Sequence, residues 1–326
     1  MRVLVTGGAG YVGSFVVRHL LERNHDVRVL DDLSTGRAEA VPDIAPDIVN
    51  IRHAQDVAAV VRSFAPEAII HLAGLKSSAE SVQRPDLYYD VNVTGTSALL
   101  RAAKRHGVER FVFSSSCAVY GSPQVCPVDE HAPTEPQSPY GETKLACERM
   151  LQWHARVTGM RWAALRYFNV AGAAADGSLG EFTGPHTVQL VPLAIKAARS
   201  GVPLKIYGGD YPTFDGTAVR DYLHVVDLAE AHVRLIEGLE TPELSGVYNL
   251  GTGRPASVLE IVKMIEQVSG CPVPYHLAPR RNGDPAFSWA DSEHARRTFD
   301  WVPQRKLDEI VRSAWLWHSS GRSGEA

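Results

Sequence analysis

Tyr140 and Lys144 stand four residues apart in Y-G-E-T-K, and Ser116 is the last of three serines that end a strand-like stretch in R-F-V-F-S-S-S-C-A-V-Y at 110–120. If the region around Tyr140 is helical, its phenol and the lysine share one face, one turn apart. A tyrosine hydroxyl ordinarily ionises near pH 10, far too high for a base at neutral pH. A neighbouring ammonium and a cationic cofactor ring both favour the phenolate, so they are expected to bring that value down. Tyr140 then suits the removal of a proton from a secondary hydroxyl while hydride leaves the same carbon, with Ser116 bonded to the same oxygen. Lys144 is also placed to hold the ribose of a nicotinamide. A Y-x-x-x-K pair alone arises often by chance, and its weight here comes from what precedes it.

What precedes it is M-R-V-L-V-T-G-G-A-G-Y-V-G. An apolar run ends in a turn with Gly7, Gly10 and Gly13, and a helical pattern follows with Val12, Phe15, Val16 and Leu20 on one face. Strand, glycine turn and helix form the arrangement that cradles a pyrophosphate: glycine lets the backbone approach, and the helix start offers free N–H groups. The spacing is G-x-x-G-x-x-G. The second apolar run ends in Asp31, 18 residues after Gly13, followed by Asp32. An acid there bonds the ribose hydroxyls and repels a 2′-phosphate, so the pair argues for NAD against the one opposing group, Arg37. In H-L-A-G-L-K-S-S at 71–78, Ala73 and Gly74 would let the backbone pass close to the cofactor.

The elements that must position these groups alternate. Strands are expected at 2–6, 26–30, 68–72, 110–114 and 162–167, with a weaker one at 47–51; helices are expected at 11–23, 54–64, 86–106 and 138–157. This pattern predicts an α/β fold, a Rossmann-type doubly wound parallel sheet with ligands at the carboxyl ends of its strands. Ser138 and Pro139 are helix-start residues just ahead of Tyr140. After 170 the character changes. Stretches 171–185 and 203–217 are aperiodic and rich in small or turn residues, whereas 191–199, 256–268 and 307–317 are helical in pattern. The expected organisation is an NAD-binding unit over 1–170 and a smaller α/β substrate lobe over 171–326, with strands such as 248–250 returning to the first sheet. The tail from 319 is expected to fray.

Composition narrows the classes further. The 326 residues carry a formal charge of −4, which makes nucleic acid and membrane surfaces poor partners. No apolar run reaches the roughly 20 residues of a membrane span, and no secretory pattern opens the chain, so cytoplasm is expected. The four cysteines, 117, 126, 147 and 271, have no zinc spacing, and no metal is expected.

Taken together, T-G-G-A-G-Y-V-G, H-L-A-G-L-K, F-S-S-S-C-A-V-Y-G, P-Q-S-P-Y-G-E-T-K, R-Y-F-N-V-A-G-A, Y-P-T-F-D-G-T-A-V-R-D-Y-L-H-V, Y-N-L-G-T-G and A-P-R-R-N-G-D resemble, in order and over nearly the whole chain, the extended short-chain dehydrogenase/reductases, within them the UDP-hexose 4-epimerases. The resemblance implies that Tyr140 takes the 4-hydroxyl proton of a UDP-sugar while hydride passes to a tightly held NAD. The 4-keto sugar then turns over, and both return to the opposite face. It also implies a homodimer built through 86–106 and 138–157. By match to family positions, Tyr11, Val12, Asp31, Asn50, Ile51, Leu72, Lys76, Asn92, Ser114 and Phe168 belong at the cofactor. Asn169, Gln189, Leu190, Tyr207, Arg220, Arg281, Asp284 and Ser288 belong at the substrate, the two arginines at its diphosphate and Asp284 at the uridine ribose. Three positions depart. Gln189 replaces an asparagine, and Asn50 stands where an aspartate is frequent. Ser288 stands where galactose-restricted members carry tyrosine and broader ones a small residue, which implies room for a 2-N-acetyl group. Sister dehydratases and decarboxylases place an acid after the serine segment. Cys117-Ala118 offers none. A uronate 4-epimerase needs the same chemistry plus a cation near C6. A non-catalytic NAD-responsive protein predicts a damaged Ser116, Tyr140, Lys144 set, and all three are present.

Overall fold

In a computed structural model describing residues 1–184, 187–281, 283–324, seven parallel strands form the central sheet. Their order is Gly246–Leu250, Arg161–Tyr167, Arg110–Ser114, Ala68–His71, Arg2–Thr6, Asp26–Asp31, Asp47–Ile48. The central strands are largely apolar on both faces because both faces are covered. Val3, Val5, Val29, Ile70, Val112 and Leu165 face helices Tyr11–Glu22 and Val225–Gly238. Leu4, Leu30, Ile69, Phe111, Phe113 and Ala164 face Ala54–Phe64, Gly95–Arg105 and Pro139–Thr158. Alternation along each strand therefore supplies two cores from one run.

Chain order reverses between Arg2–Thr6 and Ala68–His71, which pair in register from Val3 and Ala68. Their carboxyl ends open a crevice at the switch point, where an open α/β sheet takes its ligand. The expected helix at 86–106 is a broken run: Pro85–Tyr88 and Gly95–Arg105 are α-helical, and Tyr89–Thr94 between them is a wide π turn. Such turns recur at functional sites, and this one carries Asn92.

The remaining chain builds a third apolar cluster around Ile195, Ile206, Ile261, Ile265 and Ile310. Its small sheet joins Pro255–Ser257, Val219–His224, Phe287–Ser288 and Asn169–Ala171. The stretch expected as loop at 203–217 contains a strand, Leu204–Tyr207, paired with Tyr275–Ala278. Helix Val225–Gly238 and strand Gly246–Leu250 lie with the first sheet, the strand bonded to Arg161–Tyr167. The tail does not fray at 319. Ser323 is buried and its carbonyl accepts from Thr183 N at 2.9 Å, while Arg322 Nη1 donates to Gly177 O at 3.2 Å. Among the described residues, no helix is long and apolar enough to cross a membrane.

Candidate active site

The glycine turn forms because its corners cannot hold side chains. A Cβ on Gly13 would stand 2.1 Å from Gly7 O and 2.7 Å from Gly8 Cα. The helix can therefore start against the strand only with glycine there. Gly10, the residue before the helix, has only Gly7 O near its absent Cβ, at 3.2 Å, and borders the crevice. The crevice runs from Gly7, Gly10, Tyr11, Val12 and Gly13 past Asp31 and Asp32 to Ile51. It continues through Leu72, Ala73, Gly74 and Lys76 to Ser114, Tyr140 and Lys144. A bare glycine edge, a helix start and an acid at the second strand's end fit an adenine dinucleotide.

Asp31 is buried at that strand's end, its carboxylate accepting from Ala9 N at 3.0 Å and Leu33 N at 2.9 Å. Burial raises its pKa against those two bonds. Asp32 accepts from the Asn50 amide at 2.7 Å, so Asn50 steadies the second acid. Lys76 reaches Glu181 Oε1 at 3.3 Å, across from the loop after 171. Asn92 is buried and uses its amide internally, accepting from Leu75 N at 2.8 Å and donating to Thr143 Oγ1 at 3.0 Å. It shapes the loop that borders the crevice. Phe168 packs in an apolar cluster with Val119, Tyr120, Leu145 and Ala290, and its neighbour Tyr167 borders the crevice.

Tyr140 and Lys144 begin helix Pro139–Thr158. The Ser138 hydroxyl caps it by accepting from Gly141 N at 3.3 Å, and Pro139 takes the first turn. The Ser116 hydroxyl lies beside the Tyr140 phenol, whose pKa it lowers, and accepts from Ala118 N at 3.1 Å. Lys144 Nζ donates to Ser114 O at 2.8 Å and lies 5.8 Å from the Tyr140 ring centre. The expected fall in the phenol's pKa is not what the protein's own groups produce. Burial is the largest influence and pushes Tyr140 up, the Tyr167 phenol adds to it, and Ser116 opposes. Burial also brings Lys144 down, from 10.5 to about 8. Desolvation penalises any charge in this corner, so the lysine alone does not make the phenolate.

The substrate candidates gather on the second lobe. Asp284 carries both arginines, with Arg281 Nε at 3.2 Å from one oxygen and Arg220 Nη2 at 3.8 Å from the other. The Arg281 guanidinium stacks over Tyr207 at 4.4 Å. Ser288 is buried and pairs in register with Arg220. Burial pushes the Cys117 thiol, next to Ser116, up to about 11 and the Arg220 charge opposes it, so Arg220 lies near the catalytic strand end. Asn169 is exposed on its short strand. Gln189 precedes and Leu190 begins the helix Leu190–Ser200. Sequence reasoning missed Ser115, Glu148 and Arg166, which bond one another beneath the site. The available signal was Glu148, which continues the four-residue spacing of Tyr140 and Lys144.

Residues 3–251 match the model of the NAD dependent epimerase/dehydratase family. A UDP-glucose 4-epimerase of Lactobacillus helveticus is 43% identical over 327 residues, covering 99% of each chain. Two solved UDP-glucose 4-epimerase structures share the fold. That of Bifidobacterium longum, in complex with NAD+ and UDP, has a TM-score of 0.95 at 36% identity over 100% of each chain. That of Stenotrophomonas maltophila, with bound NAD and formylated UDP-arabinopyranose, has a TM-score of 0.93 at 40% identity over 98% of each chain. A sheet whose crevice lies at its switch point, a serine–tyrosine–lysine set at the crevice mouth and a match over most of the length agree: the chain belongs to the NAD dependent epimerase/dehydratase family.

Proposed function

We propose that this protein interconverts UDP-hexoses at C4, UDP-galactose with UDP-glucose, using NAD as a retained cofactor. The observation that carries the reading is the meeting of Tyr140 and Lys144, with Ser116 beside them, at one end of the crevice, and the Arg220, Asp284 and Arg281 cluster whose Arg220 acts on Cys117 next to Ser116. NAD held in the crevice takes the C4 hydrogen of the sugar and gives it back to the opposite face. Tyr140 takes the proton of the 4-hydroxyl and later returns one, with Ser116 orienting the same oxygen. Lys144, charged below about pH 8, holds positive charge beside the phenol when the proton leaves. Arg220 and Arg281 present forked donors to the diphosphate. The uracil packs at Tyr207 and its ribose meets Asp284. With the nucleotide anchored through these groups and Asn169, Gln189 and Leu190 at its flank, the sugar itself stays free to turn. The two relatives solved with UDP and with a UDP-pentose share the nucleotide and differ beyond it, which supports that division.

The cofactor unit comprises residues 1–170 with 225–250, and the rest of the later chain forms the substrate lobe. Exposed Trp153 and Val157 on the helix that begins with Tyr140 support a homodimer through that helix and its neighbour; a single-chain mass by light scattering contradicts it. The free cysteines at 117, 126, 147 and 271 suit a reducing compartment, the cytoplasm.

Incubation of the purified protein with UDP-galactose, without added NAD, is expected to yield UDP-glucose by NMR; recovery of unchanged substrate contradicts the function. UDP-N-acetylgalactosamine is expected to be converted as well, because Ser288 leaves room beside Arg220. Ser288→Tyr should reduce that second activity at least tenfold and spare the first, and equal loss of both would refute the room argument.

A further inference from the structure

Three consecutive serines end the strand Arg110–Ser114 and run beyond it, and each is tied to its own partner. Ser114 offers its carbonyl to Lys144 Nζ at 2.8 Å and its hydroxyl to the Tyr167 phenol. Ser116 accepts from Ala118 N at 3.1 Å and lies beside the Tyr140 phenol. Ser115, between them, donates its hydroxyl to Glu148. Tyr140, Lys144 and Glu148 recur every four residues on Pro139–Thr158, so one stripe of the helix meets one strand end.

Glu148 is held in turn by a forked bond from Arg166, Nε to Oε1 at 2.9 Å and Nη2 to Oε2 at 2.6 Å. Arg166 comes from the adjacent strand, and its third nitrogen donates to the Tyr120 hydroxyl at 2.9 Å. Tyr120 donates to Asn249 Oδ1 at 2.7 Å, and Asn249 Nδ2 donates to Val128 O at 2.8 Å. Glu148 and Arg166 are only 4% and 5% exposed. Burying an ion pair adds little net stability over an apolar pair of equal volume, so what this one adds is directional geometry.

We infer that the Glu148–Arg166 pair is a positioning device for the reaction: through Ser115 it fixes the strand end carrying Ser116 against the helix carrying Tyr140 and Lys144. For its activity readout the inference rests on the epimerase reading. Lys144 is faced by His71 from the strand Ala68–His71 and by Tyr140, Cys147 and Glu148 from its own helix, with Arg166 behind Glu148. Among these, His71 is held neutral by burial and Cys147 is held protonated, so Glu148 is the negative charge that favours the ammonium.

The test compares holoenzyme carrying Ser115→Ala, and holoenzyme carrying Glu148→Gln with Arg166→Met, against wild type. Both variants are expected to keep their bound NAD and a KM for UDP-galactose within about twofold of wild type. The expected kcat is about tenfold lower in Ser115→Ala and lower still in the double variant, the scale that small misplacement of reacting groups produces. NMR titration of nitrogen-15-labelled lysines is expected to show Lys144 losing its proton at lower pH in the double variant, and the alkaline limb of kcat should follow. If the double variant does not fold, Ser115→Ala decides alone. A Ser115→Ala enzyme with wild-type kcat, or with its loss confined to KM, overturns the inference. So does a folded double variant whose Lys144 titrates as in wild type. Absence of turnover in the wild type contradicts the epimerase reading instead, and the lysine titration still judges the positioning role.

Discussion

Tyr140→Phe is expected to lower kcat for UDP-galactose about a thousandfold, with NAD content unchanged. The phenol is the group that accepts and returns the substrate proton, and positioned acid–base groups contribute about 10²–10⁴-fold. The substitution removes one oxygen from a buried site and leaves the ring. That ring meets Tyr88 edge-on at 6.5 Å, so the fold keeps its packing. The crevice keeps its glycine edge and Asp31, which hold the dinucleotide elsewhere. Steady-state kinetics with the absorbance of bound cofactor read both halves of the result. Turnover within tenfold of wild type removes Tyr140 from the role of base. Loss of NAD with loss of turnover makes it a cofactor ligand first.

Lys144→Met is expected to abolish turnover and to stabilise the protein at neutral pH. Burial brings this ammonium from its ordinary 10.5 to about 8, so the folded state disfavours the charged form. The cost is fully present below about pH 8 and is relieved as pH rises from there towards 10.5. At about 1.4 kcal/mol per pH unit that cost amounts to roughly 3 kcal/mol at pH 7. The lost hydrogen bond to Ser114 O offsets about 1 kcal/mol. A net gain on the order of 2 kcal/mol should raise the urea midpoint of the cofactor-free protein at pH 7 and fade by pH 10. Wild-type kcat should fall above about pH 8, as the charge beside Tyr140 is lost, and Lys144→Met should lie at least a hundredfold below it at pH 7. A lower midpoint at pH 7 would mean that the ammonium is favourably placed at rest. Retained turnover would mean that it does not support the base.

Much of the first half was legible because its signals are local. Apolar runs at 2–6 and 110–114 carry strand character in themselves, and Ser138-Pro139 announces a helix start that a chain can form without distant help. The second lobe was not legible in the same way. Its sheet joins Asn169–Ala171, Val219–His224, Pro255–Ser257 and Phe287–Ser288. These are short strands separated by tens of residues, whose pairing no periodicity reveals. Leu204–Tyr207 hid in a stretch of glycine, proline and aspartate and becomes a strand through Tyr275–Ala278. The π turn at Tyr89–Thr94 shifts the helical register by local widening, which a 3.6-residue pattern absorbs without trace.

At the site, the residue types were readable and their electrostatics were not. Spacing put Tyr140, Lys144 and Ser116 together, yet the ammonium's effect on the phenol depends on depth. In this corner burial outweighs it. Asn92 reads as a cofactor contact from its match to the family, whereas its amide is taken up by Leu75 and Thr143. The Arg166–Glu148 pair lies under the serines in a part of the core where composition predicts apolar side chains. Only the continuation of the four-residue stripe hinted at it.

The central claim is that one carbon of the sugar loses its hydrogen to a captive acceptor and regains that same hydrogen from the other side. UDP-galactose deuterated at C4, turned over in ordinary water and analysed by mass spectrometry and proton NMR, tests it most directly. UDP-glucose that keeps deuterium at C4 is the predicted product. UDP-glucose carrying solvent hydrogen there would contradict the account.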